Sequence, residues 1–105
     1  MTLTPAPHRN GLNPLIHEAS RLIIVSVLAE CGTADFNFLL GTTGLTRGNL
    51  SAHMARLVSA GYVCESKTFV DRKPHTDYQI SPAGRKAFKQ YQKSWRRLTG
   101  NSSRR

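Results

Sequence analysis

The periodicity of the apolar residues changes at Gly61, and this change limits the possible folds more than any other feature of the sequence. Before Gly61 the apolar residues recur at intervals of three and four, which is the spacing of amphipathic helices. From Tyr62 to Ile80 apolar and polar residues alternate on either side of a polar turn, which is typical of a β-hairpin. The sequence therefore predicts several helices, then a hairpin, then a last helix from Ser81.

The first predicted helix covers residues 13–30. Asn13 supplies a capping side chain, and Pro14 has a ring already set for the first helical position. Residues 33–34 are predicted to form a short link to the next helix. The helix is apolar on two sides, so both sides must be covered. One side carries Ile16, Ile23, Ile24, Val27 and Cys31, and the other carries Leu15, Leu22, Val25 and Ala29.

Two further helices follow the first one. Asp35 is placed to cap a helix over residues 36–43, and Gly44 is placed to end it in the left-handed conformation. Thr46 is placed to cap the next helix, over residues 47–60. The turn between these helices is about three residues long and contains glycine, which is the spacing of a helix-turn-helix.

The hairpin is predicted to join strands over residues 62–69 and 75–80 through a polar turn at 70–74. Ser81 and Pro82 then begin the last helix with a cap and a proline. The predicted organisation has four parts: a mobile arm (1–12), a core domain (13–80), a C-terminal helix (81–99) and a disordered tail (100–105).

Positive charge is concentrated in the second half of the chain. Residues 1–44 contain two basic and three acidic side chains, whereas residues 45–105 contain 13 basic and three acidic ones. From Ser81 onward there are eight basic residues and no acidic one. A solvated surface would explain the net charge of +9 but not its segregation. The segregation favours a polyanionic partner, and nucleic acid is the commonest one.

The segment LTRGNLSAHMARLVSAGYV follows a pattern of Ser-x-His-apolar-x-x-Leu and then Ala-Gly-apolar-Val. It resembles the recognition-helix region of winged helix-turn-helix regulators of the MarR and ArsR types, and the likeness extends over residues 13–99. The resemblance implies an α+β, mostly helical fold with a three-helix core, a two-stranded β wing and a long C-terminal helix. It also implies a transcriptional regulator, with repression expected, whose residues 13–80 bind double-stranded DNA. The matching positions are Ser51, His53, Met54, Leu57, Ala60, Gly61, Tyr62 and Val63.

The third predicted helix has the side chains that a recognition helix needs. An α-helix fits the major groove of DNA, where Arg47 is suited to guanine and Asn49 to adenine. The predicted DNA contacts are Thr46, Arg47, Asn49, Ser51, His53 and Arg56 on the helix and Lys67, Arg72 and Lys73 in the wing. Local roles remain open for some of them, because Thr46 can act only as a helix cap and His53 can be hydrogen-bonded inside the fold.

The last predicted helix has a heptad-like apolar seam, which suggests a homodimer. Phe88, Tyr91, Trp95 and Leu98 recur at spacings of three, four and three. Leu15, Leu22 and Val25 form a second apolar face of the first helix, and the sequence indicates no residues of the same chain that would cover it. The predicted dimer interface combines the two sets: Leu15, Leu22 and Val25 with Phe88, Tyr91, Trp95 and Leu98.

Several classes of function find no support in the sequence. Cys31 and Cys64 are isolated and are predicted to be reduced, partly buried thiols. The four histidines and six acidic residues are scattered, so we expect no enzyme, no metal site and no cofactor. No apolar run approaches the about 20 residues of a membrane span, and no signal peptide is recognisable, which favours the cytoplasm.

Two alternatives to a constitutive DNA-binding regulator remain open. The first is a protein-interaction module that keeps the winged-helix fold without binding DNA. The second is a regulator that responds to a small-molecule effector or to thiol oxidation. The sequence does not identify an effector.

Overall fold

The computed structural model describes residues 11–100. This part of the chain folds into four helices and three strands, and the strands form one antiparallel sheet in the order β1-β3-β2. The elements are α1 (Ala19–Cys31), β1 (Thr33–Asp35), α2 (Phe36–Thr43), α3 (Arg47–Ser59), β2 (Val63–Val70), β3 (Lys73–Ile80) and α4 (Pro82–Leu98). Three helices form the core, β2 and β3 form the wing, and α4 follows as a long helix. The predicted winged-helix fold is therefore confirmed.

Capping side chains begin three helices where the sequence predicts them. Asp35, Thr46 and Ser81 each accept a hydrogen bond from the backbone N–H three residues later, over 2.7, 3.1 and 2.9 Å. Such bonds satisfy amide groups that have no partner within the helix. Gly44 ends α2 with a φ of 72°, as expected for a left-handed C-terminal glycine.

The start of α1 differs from the prediction, because the helix begins at Ala19 and not near Pro14. The Oδ1 atom of Asn13 accepts a hydrogen bond from the N–H of Leu15 over 2.9 Å, which forms a turn in place of a helix start. Glu18 then caps α1 by accepting from the N–H of Arg21 over 2.9 Å.

The predicted faces of α1 were also wrong. The helix buries Arg21, Ile24, Val25 and Leu28, whereas Ile23 is 44% exposed. The later start of α1 does not change which residues share a face of the helix. The faces were wrong because the core covers only one side of α1, the side that carries the four buried residues. Cys31 lies outside that side and is exposed, and so is Cys64 on β2, which corrects the expectation of partly buried thiols.

A short third strand was missed in the sequence. Residues 33–34 were expected to be a link, but together with the capping residue Asp35 they form β1, which pairs with β3 in the register Ala34↔Tyr78 and Asp35↔Asp77. A strand of three residues is too short to show an alternating pattern. This strand brings the N-terminus of α2 beside the wing.

The hairpin turn is tighter than predicted. β2 extends to Val70 and β3 begins at Lys73, so that only Asp71 and Arg72 connect them. Both have positive φ values, 51° and 65°, which are typical of a two-residue hairpin turn. The predicted turn at residues 70–74 was longer because Lys73 and Pro74 look polar or strand-breaking in the sequence.

The hydrophobic core lies between the first three helices and the sheet. Its buried residues are Ile24, Val25, Leu28, Ala34, Leu39, Leu50, Met54, Leu57, Val63, Tyr78 and Ile80. A second cluster places Leu12 and Ile16 against Tyr91 of α4. Leu12, which the sequence assigned to the arm, therefore belongs to the folded part of the chain.

The rest of the predicted arm, residues 1–10, and the tail residues 101–105 lie outside the described residues. Within residues 11–100, no helix combines the length and the apolar character needed to cross a membrane. At Gly84, α4 closely approaches Tyr62, the residue before β2, and any Cβ there would collide with the carbonyl oxygen of Tyr62.

Candidate nucleic-acid interface

Three buried residues fix the rotation of α3. Leu50, Met54 and Leu57 are at most 1% exposed and hold one side of the helix against the core. The opposite side therefore faces solvent. It carries Arg47, Gly48, Asn49, Ser51, Ala52, Ala55, Arg56 and Ser59, all of them exposed. The small residues among them allow the backbone of α3 to approach a partner closely.

Arg47 is oriented by the first turn of α2. Its Nη2 donates a hydrogen bond to Oδ1 of Asn37 over 3.2 Å, and its guanidinium carbon lies 5.4 Å from the centre of the Phe36 ring. The second contact has the geometry of a cation–π interaction. Sequence reasoning missed Asn37, because only the packing of α2 against α3 brings it to Arg47.

The other polar residues near the start of α3 have different surroundings. Thr46 caps the helix, since its Oγ1 accepts the N–H of Asn49 over 3.1 Å. The side chains of Asn49, Ser51 and Arg56 are exposed. Thr46 is exposed as well, so its capping role leaves its side chain at the surface.

His53 faces the start of α1 and takes part in an internal network. The buried Arg21 donates from Nε to the carbonyl of Leu15 over 2.6 Å and lies with Nη1 3.1 Å from Nδ1 of His53. Glu18 lies 3.9 Å from the same ring nitrogen. The backbone N–H of Arg21 lowers the pKa of Glu18, and His53 and the Arg21 guanidinium add smaller effects in the same direction. This is the internal role that the sequence left open for His53.

The wing carries three exposed basic residues and two exposed apolar ones. Lys67 lies on β2, and Arg72 and Lys73 lie at the tip of the hairpin. Phe69 and Val70 beside them are 69% and 50% exposed. The sequence prediction placed Phe69 at the end of the strand and Val70 in the turn, and gave neither a role.

A groove of about 670 Å³ separates α3 from the wing. Arg47 and Ser51 of α3, Asn37 of α2 and Lys67 of β2 line it together. The structure thus brings three of the predicted DNA contacts to one groove. Asn49, Arg56, Arg72 and Lys73 do not line it, and His53 points to the other side of the helix.

A second surface lies between α1 and α4. An apolar groove of about 580 Å³ is lined by Leu22, Phe88, Tyr91 and Trp95, and His17 lies at its edge with Nδ1 2.7 Å from the Tyr91 hydroxyl. Burial raises the pKa of the Tyr91 hydroxyl. Trp95 and Leu98 are 48% and 47% exposed, so the end of the heptad-like seam is free of the core.

The remaining predicted interface residues have partners inside the chain. Val25 is 1% exposed within the main core, and Leu15 packs against that core. Leu22 and Phe88 pack against the second cluster, which also contains Tyr91. The assumption that Leu15, Leu22 and Val25 lack internal partners was wrong, because residues 12–18 fold back over this side of α1.

The sequence of this chain is similar to a known protein family and to a protein from another organism. Residues 20–99 match a family model described as a winged helix DNA-binding domain. An uncharacterized protein of Methanocaldococcus jannaschii is 31% identical over 77 residues, which make up 73% of this chain and 84% of that protein.

Solved structures of transcriptional regulators are similar as well. The transcriptional regulator homologue protein from Pyrococcus horikoshii OT3 has a TM-score of 0.77 at 28% identity, and the match covers 83% of this chain and 86% of that one. A MarR family regulator from Silicibacter pomeroyi has a TM-score of 0.56 at 16% identity, covering 86% and 62%. The latter likeness is one of fold, and it agrees with the resemblance to MarR-type proteins in the sequence.

Proposed function

The chain belongs to the family of winged helix DNA-binding domains, and from this premise we propose that it is a sequence-specific transcriptional regulator. The observation that carries the proposal is the solvent-facing side of α3. Its first turn presents Arg47 and Asn49, which are suited to base edges, and the rigidly packed opposite side fixes their direction.

In the proposed complex α3 enters the major groove. Arg47, pre-oriented by Asn37, donates two hydrogen bonds to a guanine, and the exposed Asn49 pairs with an adenine. Lys67 and the basic tip of the wing contact the phosphate backbone or the adjacent minor groove. The phosphate contacts give affinity and register, and the base contacts give specificity.

We also propose that the protein binds as a homodimer. The occupant of the apolar groove between α1 and α4 is a second copy of this chain, because Trp95 lines the groove while it is 48% exposed, and the exposed Leu98 lies further along the same helix. A two-fold axis at this surface places two copies of α3 in successive major grooves, about 34 Å apart. A dimer bound across a promoter excludes the transcription machinery, so the expected effect is repression.

Selection of bound duplexes from a random pool tests the proposal. The expected result is an enriched motif with two-fold symmetry and a guanine in each half-site. The matched control is an Arg47→Ala, Asn49→Ala double variant, which removes side chains from an exposed face and leaves the core intact. Failure of the wild-type protein to enrich any motif, although it is folded by circular dichroism, would contradict sequence-specific binding.

A further inference from the structure

Three potential metal ligands meet where the wing joins the helical core. They are Asp35 at the end of β1 and His75 and Asp77 on β3. Their ligand atoms all lie within 4.8 Å of one another. We propose that these three residues bind a divalent transition-metal ion, with Zn²⁺ as the best match. The sequence indicated no such site, because Asp35 and the two wing residues are far apart along the chain.

The sheet itself fixes the geometry of this cluster. His75 and Asp77 are two positions apart on one strand and therefore point to the same face. Asp35 is directly opposite Asp77 in the β1–β3 register, so its side chain lies on that face as well. Asp35 is further held by the hydrogen bond from the N–H of Phe38 to its Oδ1, which leaves the second carboxylate oxygen for another partner. The backbone thus orients all three side chains before any ion binds.

The distances suit a small cation. Nε2 of His75 and Oδ1 of Asp77 are 3.0 Å apart. Two ligands on one tetrahedral zinc ion, each bound at about 2.1 Å, lie about 3.4 Å apart. The ligand atom of Asp35 lies within 4.8 Å of those of His75 and Asp77. One imidazole and two carboxylates are a ligand set that Zn²⁺ accepts, and a fourth position remains for water.

The charges around the cluster also favour a cation. Asp35 and Asp77 face each other across the sheet, and like charges directly opposite destabilise a strand pair. Within residues 11–100, neither Asp35 nor Asp77 forms an ion pair with a lysine or an arginine. In the same part of the chain, His75 is the group that pairs with Asp77. A bound Zn²⁺ compensates the charges of both carboxylates.

The site is accessible and is joined to the recognition surface. All three ligands are half-buried, and Asp35 and His75 are among the residues that border the groove between α3 and the wing. Asp35 is followed directly by Phe36 and Asn37, the two residues that contact Arg47. An ion at this site ties the start of α2 to the wing and so stabilises the folded chain.

Cobalt titration of the metal-free full chain tests the site directly, because Co²⁺ occupies zinc sites and reports its ligands. We expect one equivalent to bind with the visible bands of a tetrahedral N/O site and without a thiolate charge-transfer band. His75→Gln and Asp77→Asn should each weaken Co²⁺ binding at least tenfold. His17→Gln, which removes an exposed histidine elsewhere, should bind as the wild type does.

Thermal unfolding gives an independent measurement of the same site. A Zn²⁺ concentration a hundredfold above the Kd should raise the Tm of the wild type and of His17→Gln by about 10–20 °C. The Tm of His75→Gln and Asp77→Asn should not change. Unchanged Co²⁺ binding by these two variants would overturn the proposal, and so would a thiolate band that places the ion on Cys31 or Cys64. Both variants replace half-buried surface residues, and circular dichroism verifies that they fold.

Discussion

Arg47 is the residue on which specificity depends most in this account. It lies in the first turn of α3, is exposed, and is held by Asn37 and the Phe36 ring. An arginine that is already ordered loses less conformational entropy on binding than a free one, so its contact with a base is stronger. The sequence predicted the position of Arg47 but not its support from α2.

Replacing Arg47 with Ala should remove discrimination at one base pair. We expect a loss of about 1–3 kcal/mol for the selected duplex relative to a duplex changed at that position. Lys73→Ala is the matched control at the wing tip, because loss of a phosphate contact weakens binding to all sequences alike and lowers the salt slope by about one. Fluorescence anisotropy with the two duplexes measures both effects. Equal losses on both duplexes for Arg47→Ala would remove Arg47 from a base-reading role.

His53 illustrates the limit of residue-level prediction. Its spacing in α3 is compatible with both a DNA contact and an internal hydrogen bond. Its environment is decided by Glu18 and Arg21, which lie at the start of α1. No local pattern in α3 contains that information, because the contact depends on the packing of one helix against another.

At the scale of elements, the caps were the most reliable signals in the sequence. Asp35, Thr46 and Ser81 begin helices as predicted, since a capping side chain acts on the backbone only three residues away. Asn13 misled because the same side-chain chemistry also forms a turn. β1 was missed because three residues carry no periodicity and the strand exists only through its pairing with β3. Local interactions were thus predictable, and those made by tertiary pairing were not.

The groove between α1 and α4 leads to a prediction about the oligomeric state of the protein. A Trp95→Glu, Leu98→Glu double variant should be monomeric, because it places charges on the exposed apolar end of α4, where Trp95 lines the groove. It should also bind the selected duplex poorly, although α3 is unchanged. Phe38→Glu is the matched control, since Phe38 is a 52% exposed aromatic residue on α2, outside this groove. Sedimentation velocity distinguishes the species. A monomeric wild type at micromolar concentration would contradict the proposed dimer.

At the scale of the whole molecule, the winged-helix architecture was predictable from the sequence, and so was the concentration of positive charge in residues 45–105. The change of periodicity at Gly61 and the helix-turn-helix spacing are both local, and together they exclude most other folds. The grooves and the Asp35–His75–Asp77 cluster were not predictable, because they combine residues from α2, α3 and the sheet. The exposure of Phe69 was not predictable either, since an apolar residue in a predicted strand normally indicates burial.

The salt dependence of DNA binding tests the central claim most directly. The affinity of the full chain for its selected duplex and for a scrambled duplex of equal length is measured over a range of salt concentrations. A sequence-specific regulator should bind the selected duplex at least about 10³-fold more tightly at physiological salt. For both duplexes, log K should fall linearly with log salt, as phosphate contacts require. Equal affinity for the two duplexes at every salt concentration, or affinity that does not depend on salt, would contradict the account.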